Sequence, residues 1–367
     1  MSLMINVYSN LMSAWPATMV MSPKLNRNMP AFSQVWDYER ITPASAAGET
    51  MKSIQGAIGE YFERRHFFNE IVAGPEKTLY EMMPPESAGA FAEALLQTSS
   101  KSESRVKKHQ FKTVRAYNLL SLDKIEIPAV LVALDNITAA QDLEFYPDRD
   151  TCGCSFHGNL ENAVEGALYE FMERQSLLLY WLSGKANFEI SQDIVSGISF
   201  VDEILSSLRV EGELRIFDIT LPGAPGHAIL TLYGTKGKNS EIKYSTGLSY
   251  SVNLRKALSK SVTELWQSYI CLHNFINGGY SDNDIIDSYQ RHFLSCNSYD
   301  TYLDLCKNTI LKNSGLVSDL DLLKKIMTFT HISRIFQIIF SSTMQERECE
   351  KGLYGIRKSS VRIFFCI

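Results

Sequence analysis

The sequence predicts a mixed α+β fold in which helices and strands come in blocks. Three observations carry this. Long stretches place apolar residues three and four apart, as amphipathic helices do. Shorter runs rich in Val, Ile, Leu and Tyr are bounded by Gly, Pro and Asn, as strands are. The two kinds of stretch do not alternate strictly, which argues against a doubly wound parallel sheet.

The elements follow in chain order. From about Ala44 to Val72, Met51, Ile54, Ala57, Ile58, Tyr61 and Phe62 recur at helical spacing. A second helix is expected over Pro84 to Leu96, then a polar link from Ser99 to Lys108. Phe111 to Leu134 suggests two strands, the second a buried run from Ile127 to Leu134. Asp148, Asp150 and Gly153 suit a tight turn leading toward a helix over Leu160 to Leu182. Strands are expected over Leu214–Ile219, Ala228–Tyr233 and Ile242–Tyr244, with Pro222-Gly223 and Pro225-Gly226 marking a turn. A last helix is expected over Leu254 to Ile276. Nothing in the composition marks a linker between independent domains.

The 367 residues, 45% hydrophobic and 21% charged, suit a soluble globular protein. A net charge of −5 gives no basis for broad nucleic-acid binding. Seven scattered cysteines do not resemble a disulfide framework, and the expected location is the cytoplasm. The uncharged opening segment lacks the basic start of a signal peptide, and Asn6, Ser9, Asn10, Ser13 and Pro16 interrupt it. No apolar run is long enough for a membrane span. The tail differs in character. From Lys324 onward eight Lys/Arg face three Asp/Glu, and no proline follows Pro225. The division expected is therefore 1–320 and an atypical basic tail, 321–367.

Two predicted helices contain nearly the same phrase. One reads Gln55-Gly-Ala-Ile-Gly-Glu60-Tyr-Phe-Glu63-Arg64, the other Glu165-Gly-Ala-Leu-Tyr-Glu170-Phe-Met-Glu173-Arg174. A fainter third copy, Ser261-Val-Thr-Glu264-Leu-Trp-Gln267, keeps the first acid and replaces the second by an amide. A spacing of three puts each pair of acids on one helical face. The Gly and Ala one turn earlier let a backbone or bulky ligand approach that face. Four carboxylates from two facing helices would make a hard oxygen site suited to Mg²⁺, with Arg64 and Arg174 able to meet phosphate oxygens. The plainer interpretation is a solvated helix face or a fold-level repeat without chemistry. Neither a P-loop nor His-Glu-x-x-His nor Gly-x-Gly-x-x-Gly is present. Cys152-Gly-Cys154 with His157 lacks the second Cys pair of a zinc site, and a loop is expected there.

Gly153-Cys-Ser155-Phe-His157, Ala163 and Leu168-Tyr-Glu170-Phe-Met-Glu173-Arg174 together resemble a motif of the YcaO family. Glu60-x-x-Glu63-Arg64 resembles that family's first acidic element, and Lys260-Ser-Val-Thr-Glu264 is similar to its third. The likeness runs from about residue 4 to 320 and is nearest to the cyclodehydratases that mature azole-containing bacteriocins of the microcin type. It implies a YcaO-type fold, with mixed sheets flanked by helices that repeat Glu-x-x-Glu-Arg. It also implies an activity. With Mg²⁺ and ATP, a Ser or Cys side chain of a ribosomally made precursor peptide attacks the preceding backbone carbonyl. ATP phosphorylates that oxygen, and phosphate leaves as an oxazoline or thiazoline forms.

By the same resemblance Glu60, Glu63, Glu170 and Glu173 hold Mg²⁺, while Arg64, Asn159, Arg174, Lys260 and Glu264 address the nucleotide. Nothing singles out a general base. Gln175 stands where the family has Asp, and Lys260 where it has Arg, which keeps the charge and loses the bidentate fork. Many family members end in a Pro-rich tail. This chain does not, as though the reading frame had shifted near residue 320. The implied partners are the precursor peptide, an E1-like leader-binding subunit and an FMN-dependent azoline dehydrogenase in a hetero-oligomer, with no nucleic acid and no membrane. Two other readings stand beside this one. They are a different backbone-amide activation, such as thioamidation, and a non-catalytic assembly subunit with an altered C-terminus.

Overall fold

The computed structural model describes residues 17–22, 27–37, 44–118, 123–147, 149–195, 197, 200–278, 288–311, 316–317, 338–341 and 362–366. The opening segment, Asp148 and most of the tail after residue 320 lie outside them. The chain divides into two compact units. One comprises residues 1–35, 45–57 and 172–334, the other 36–44, 58–171 and 335–367. Two of the divisions fall within long helices, Thr50–Arg65 and Leu160–Ser183.

The first unit is built on a five-stranded sheet ordered Tyr244–Ser251, His227–Gly234, Glu213–Asp218, Phe188–Ile190, Leu316–Val317. The first four strands are antiparallel neighbours, and the last runs parallel to Phe188–Ile190. Helices Val201–Arg209 and Leu254–Asn277 supply the apolar stripe that fills its core. Ile204, Leu205, Ile216, Ile229, Leu258, Val262 and Leu265 are buried together there. Asn253 caps the longer helix, its side chain accepting from the Lys256 N–H at 3.0 Å.

The second unit is organised on a strand, Phe111–Asn118, that pairs antiparallel with Glu76–Lys77, Lys124–Pro128 and Ile338–Ser341. Ile338–Ser341 pairs in turn with Arg362–Cys366, which pairs with Ser155–His157. Phe67, Leu79, Leu95, Phe111, Val130 and Phe145 form the core of this unit.

The structure corrects several sequence expectations. Residues 44–48 are a strand, Ala44–Gly48, and not the start of a helix. Gly48, at φ +148°, turns the chain into the helix Thr50–Arg65, which ends in a π-helical turn, His66–Glu70. The Ser99–Lys108 link contains a helical turn and a half, Glu103–Lys108, capped by Ser102. The buried run after Ile127 is a strand only to Pro128, whose missing N–H ends the ladder. It continues as a buried 3₁₀ turn, Ala129–Leu131. Tyr244–Ser251 is a full strand, although Ser245, Gly247 and Ser249 give it little strand propensity. The expected helices over Leu160–Leu182 and Leu254–Ile276 are present within a residue at each end.

Candidate functional site

Each of the three motif helices follows directly on a strand. Ala44–Gly48 leads into Thr50–Arg65, Ser155–His157 into Leu160–Ser183, and Tyr244–Ser251 into Leu254–Asn277. The small residues of the repeated phrase make this close packing possible. A Cβ on Gly56 would meet Ala46 Cβ at 2.7 Å, and one on Gly166 would meet Ser155 Oγ at 2.5 Å. In the third module the glycine sits on the strand. A Cβ on Gly247 would meet Ser261 O at 2.0 Å and Leu265 N at 2.2 Å. These positions hold a strand against its own helix rather than open space for a ligand.

The second position of each motif makes a different contact. Glu63 Oε2 accepts from the Phe156 N–H at 3.1 Å. Glu173 Oε2 accepts from the Tyr250 N–H at 3.2 Å. Gln267 Oε1 accepts from the Ala47 N–H at 3.2 Å, and its Nε2 donates to Ser45 O at 2.8 Å. The acid or amide of one helix thus bonds the backbone of another module's strand in every case. Sequence reasoning noted Gln267 only as a lost acid and missed these backbone partners. The signal was the strand ahead of each helix, too poor in β-branched residues to read.

In the second unit, Glu60 pairs with Arg64 at 2.5 Å, both about a quarter exposed. Glu63 is pushed up to about 8, first by burial and then by the Glu60 charge beside it; Arg64 and the Phe156 N–H pull the other way. Phe62 stacks on Phe156 with ring centroids 5.8 Å apart, fixing the strand across the helix. Cys154 is buried, and burial followed by the charges of Glu63 and Glu170 holds its thiol well above the usual range. Glu63 and Glu170 thus both lie near enough to Cys154, just ahead of the strand, for their charges to act on its thiol. Ahead of it Asp150 Oδ1 accepts from the Cys152 N–H at 2.9 Å, and Gly153 adopts φ +75°. The expected turn is present and feeds the strand Ser155–His157, not the helix itself. Asn159 Oδ1 accepts from the Asn162 N–H at 2.8 Å, so Asn159 caps the helix that carries Glu170.

In the first unit, Glu173 is 8% exposed and Arg174 is exposed. Lys260 lies 3.3 Å from Glu264 across one turn. Ser261 Oγ donates to Gly247 O at 3.0 Å and lies 2.7 Å from Thr231 Oγ1, setting this helix's register on the sheet. The predicted residues are thus placed as Glu60, Glu63, Arg64, Asn159 and Glu170 in one unit and Glu173, Arg174, Lys260 and Glu264 in the other.

The donors fit Mg²⁺. All are carboxylate oxygens, the ligands a small hard cation prefers. Burial and then the Glu60 charge raise Glu63's proton affinity, a penalty on its ionised form that a bound cation would offset. Among the described residues no three His, Cys, Asp or Glu side chains converge as a self-sufficient metal cage.

A family model described as YcaO cyclodehydratase, ATP- and Mg²⁺-binding, matches residues 49–322. The Microcin B17-processing protein McbD of Escherichia coli is 76% identical over 308 residues, 84% of this chain and 78% of the relative. The fold is similar to a chain of the E. coli microcin synthetase McbBCD complex with pro-MccB17 bound. That likeness has TM-score 0.80 and 71% identity over 87% of this chain and 83% of that one. YcaO from Methanopyrus kandleri, bound with AMPPCP and Mg²⁺, shares the fold at TM-score 0.60 and 15% identity, over 98% of this chain and 87% of that one. No helix among the described residues is long and apolar enough to cross a membrane. With repeated acidic helices and a family match over most of its length, the chain belongs to the YcaO cyclodehydratase family.

Proposed function

We propose that this chain is an ATP-dependent peptide cyclodehydratase. It forms oxazoline and thiazoline rings from Ser and Cys of a ribosomally made precursor in the biosynthesis of an azole-containing bacteriocin. The observation that carries the residue assignment is the fixing of one oxygen of Glu63 and one of Glu173 by strand N–H groups. A carboxylate oriented in this way presents its other oxygen without paying rotamer entropy at binding.

Glu60, Glu63, Glu170 and Glu173 hold Mg²⁺, which supplies charge neutralisation to phosphoryl transfer when bound. Arg64, Arg174 and Lys260 take phosphate oxygens. Glu264 orients Lys260 and, with Asn159, addresses the rest of the nucleotide. The work of these residues is positioning and neutralising charge, which is what phosphoryl transfer asks of a protein. The precursor peptide, an E1-like leader-binding subunit and an FMN-dependent azoline dehydrogenase are the partners. The similar chain assembled in McbBCD with pro-MccB17 supports that choice. A cytoplasmic location is in keeping with seven cysteines scattered through the chain in a pattern unlike a disulfide framework. Residues 1–320 form the catalytic part and 321–367 an atypical tail, in keeping with a family match that ends at residue 322. That change of character also favours a second reading, a non-catalytic assembly subunit.

The test is to assemble the chain with its partner subunits, Mg²⁺, ATP and precursor peptide, and to follow peptide mass. Loss of one water per ring that requires ATP and disappears in Glu170→Gln is expected. Complex formation without ATP turnover would favour the assembly role, and mass loss without ATP would overturn the cyclodehydratase reading.

A further inference from the structure

The third motif has lost its second acid, yet Gln267 is not idle. Its side-chain amide meets the edge of Ala44–Gly48 as a neighbouring strand would, accepting from the Ala47 N–H at 3.2 Å and donating to Ser45 O at 2.8 Å. Nε2 also lies 3.2 Å from Ser45 Oγ. A carboxylate can make only the first of these bonds, because it has no proton to donate. The amide is therefore the better residue here, making two backbone bonds where a carboxylate would make one.

The strand so held is the one that Gly56 packs against, with Ala46 Cβ 2.7 Å from where a Gly56 Cβ would lie. Gln267 thus ties the start of the first motif helix to the third, and the third carries Glu264 one turn and Lys260 two turns away. We propose that Gln267 is a positioning residue for the nucleotide site. It touches no nucleotide itself, and it fixes the register in which Lys260 and Glu264 stand relative to the start of Thr50–Arg65. This inference rests on the assignment of Lys260 and Glu264 to the nucleotide under the proposed function.

The decisive measurement is the affinity of the assembled complex for Mg²⁺-AMPPCP by calorimetry, with thermal stability measured alongside. Gln267→Ala is expected to bind about tenfold more weakly, the loss that follows when ground-state contacts are misplaced. Leu205→Ala is the comparator, a buried core residue of the same unit on a different helix. It is expected to lower the melting temperature and leave affinity unchanged. Should Gln267→Ala fail to fold, Gln267→Glu decides, because it keeps the acceptor and loses the donor. Weaker binding than wild type is again expected. Wild-type affinity in either soluble Gln267 variant would overturn the proposal. Ring formation by the wild-type complex is scored separately, so weakened binding without any ring formation would sustain the role of Gln267 while sinking the cyclodehydratase reading.

Discussion

Glu173 Oε2 accepts a hydrogen bond from the Tyr250 N–H at 3.2 Å, so one side chain of the proposed metal set also closes the backbone of a strand. The two roles separate by mutation. Glu173→Gln keeps an acceptor oxygen and removes the charge. It is expected to melt near wild type and to lose Mg²⁺-dependent ATP turnover. Glu173→Ala leaves the Tyr250 N–H buried without that partner, at a cost of about 1–3 kcal/mol. Denaturant titration and ATP hydrolysis, run on both variants, check this.

Gly247 and Gly89 make an opposed pair. A Cβ at Gly247 would drive into Ser261 O and Leu265 N, backbone atoms that cannot step aside. Gly247→Ala is expected to destabilise by about 3 kcal/mol or more, the upper range for overpacking. Gly89 lies inside the helix Pro85–Thr98 with nothing within 4 Å of a new Cβ. Gly89→Ala is expected to stabilise by about 0.5–1 kcal/mol. Urea melts of the two variants should move in opposite directions.

Glu63 gives a pH dependence. Its carboxyl is pushed from 4.5 up to about 8, chiefly by burial. A folded-state pKa above the unfolded one means the protonated form is favoured by folding. Its contribution is therefore fully present below about pH 4.5 and is lost as pH rises through about 8. Melting temperatures of the metal-free protein should fall across that window, and Glu63→Gln should flatten the fall. A Glu63→Gln profile as steep as wild type would rule out this residue as the source.

Lys260, exposed, and Glu264, half-buried, form an ion pair at 3.3 Å, and such pairs near the surface contribute little to stability. Lys260→Ala is expected to leave the melting temperature nearly unchanged and raise the KM for ATP about tenfold, as loss of a ground-state phosphate contact does. Lys260→Arg, with its planar fork, is expected to bind at least as well as wild type. Steady-state ATP hydrolysis by the assembled complex measures both.

The helices were legible because their apolar spacing is local. Leu254–Asn277 could be placed from its own residues alone. The strands that matter most were not. Ala44–Gly48 is Ala-rich and reads as helix, and it is extended as a strand beside Ala31–Asp37, with Gln267 bonding its backbone from far along the chain. Tyr244–Ser251 is Ser- and Gly-rich because a helix lies directly on it, with Ser245 Oγ donating to Leu265 O at 2.9 Å. The acidic pairs were visible as a spacing. What each acid touches depends on tertiary contacts that spacing does not encode, so the backbone partners of Glu63 and Glu173 could not be read in advance.

The contacts at the second motif positions also set an order on folding. Glu63 and Phe156 are 93 residues apart and Glu173 and Tyr250 are 77 apart, whereas Ala47 and Gln267 are separated by 220. Such distant closure is slow, since most of the loop entropy is lost before the contact forms. On the ribosome, the strand near the start of the chain has to wait for a glutamine made some two hundred residues later. A nascent chain stopped short of that residue would pair this strand with Ala31–Asp37 but lack the two side-chain bonds that Gln267 makes to its backbone.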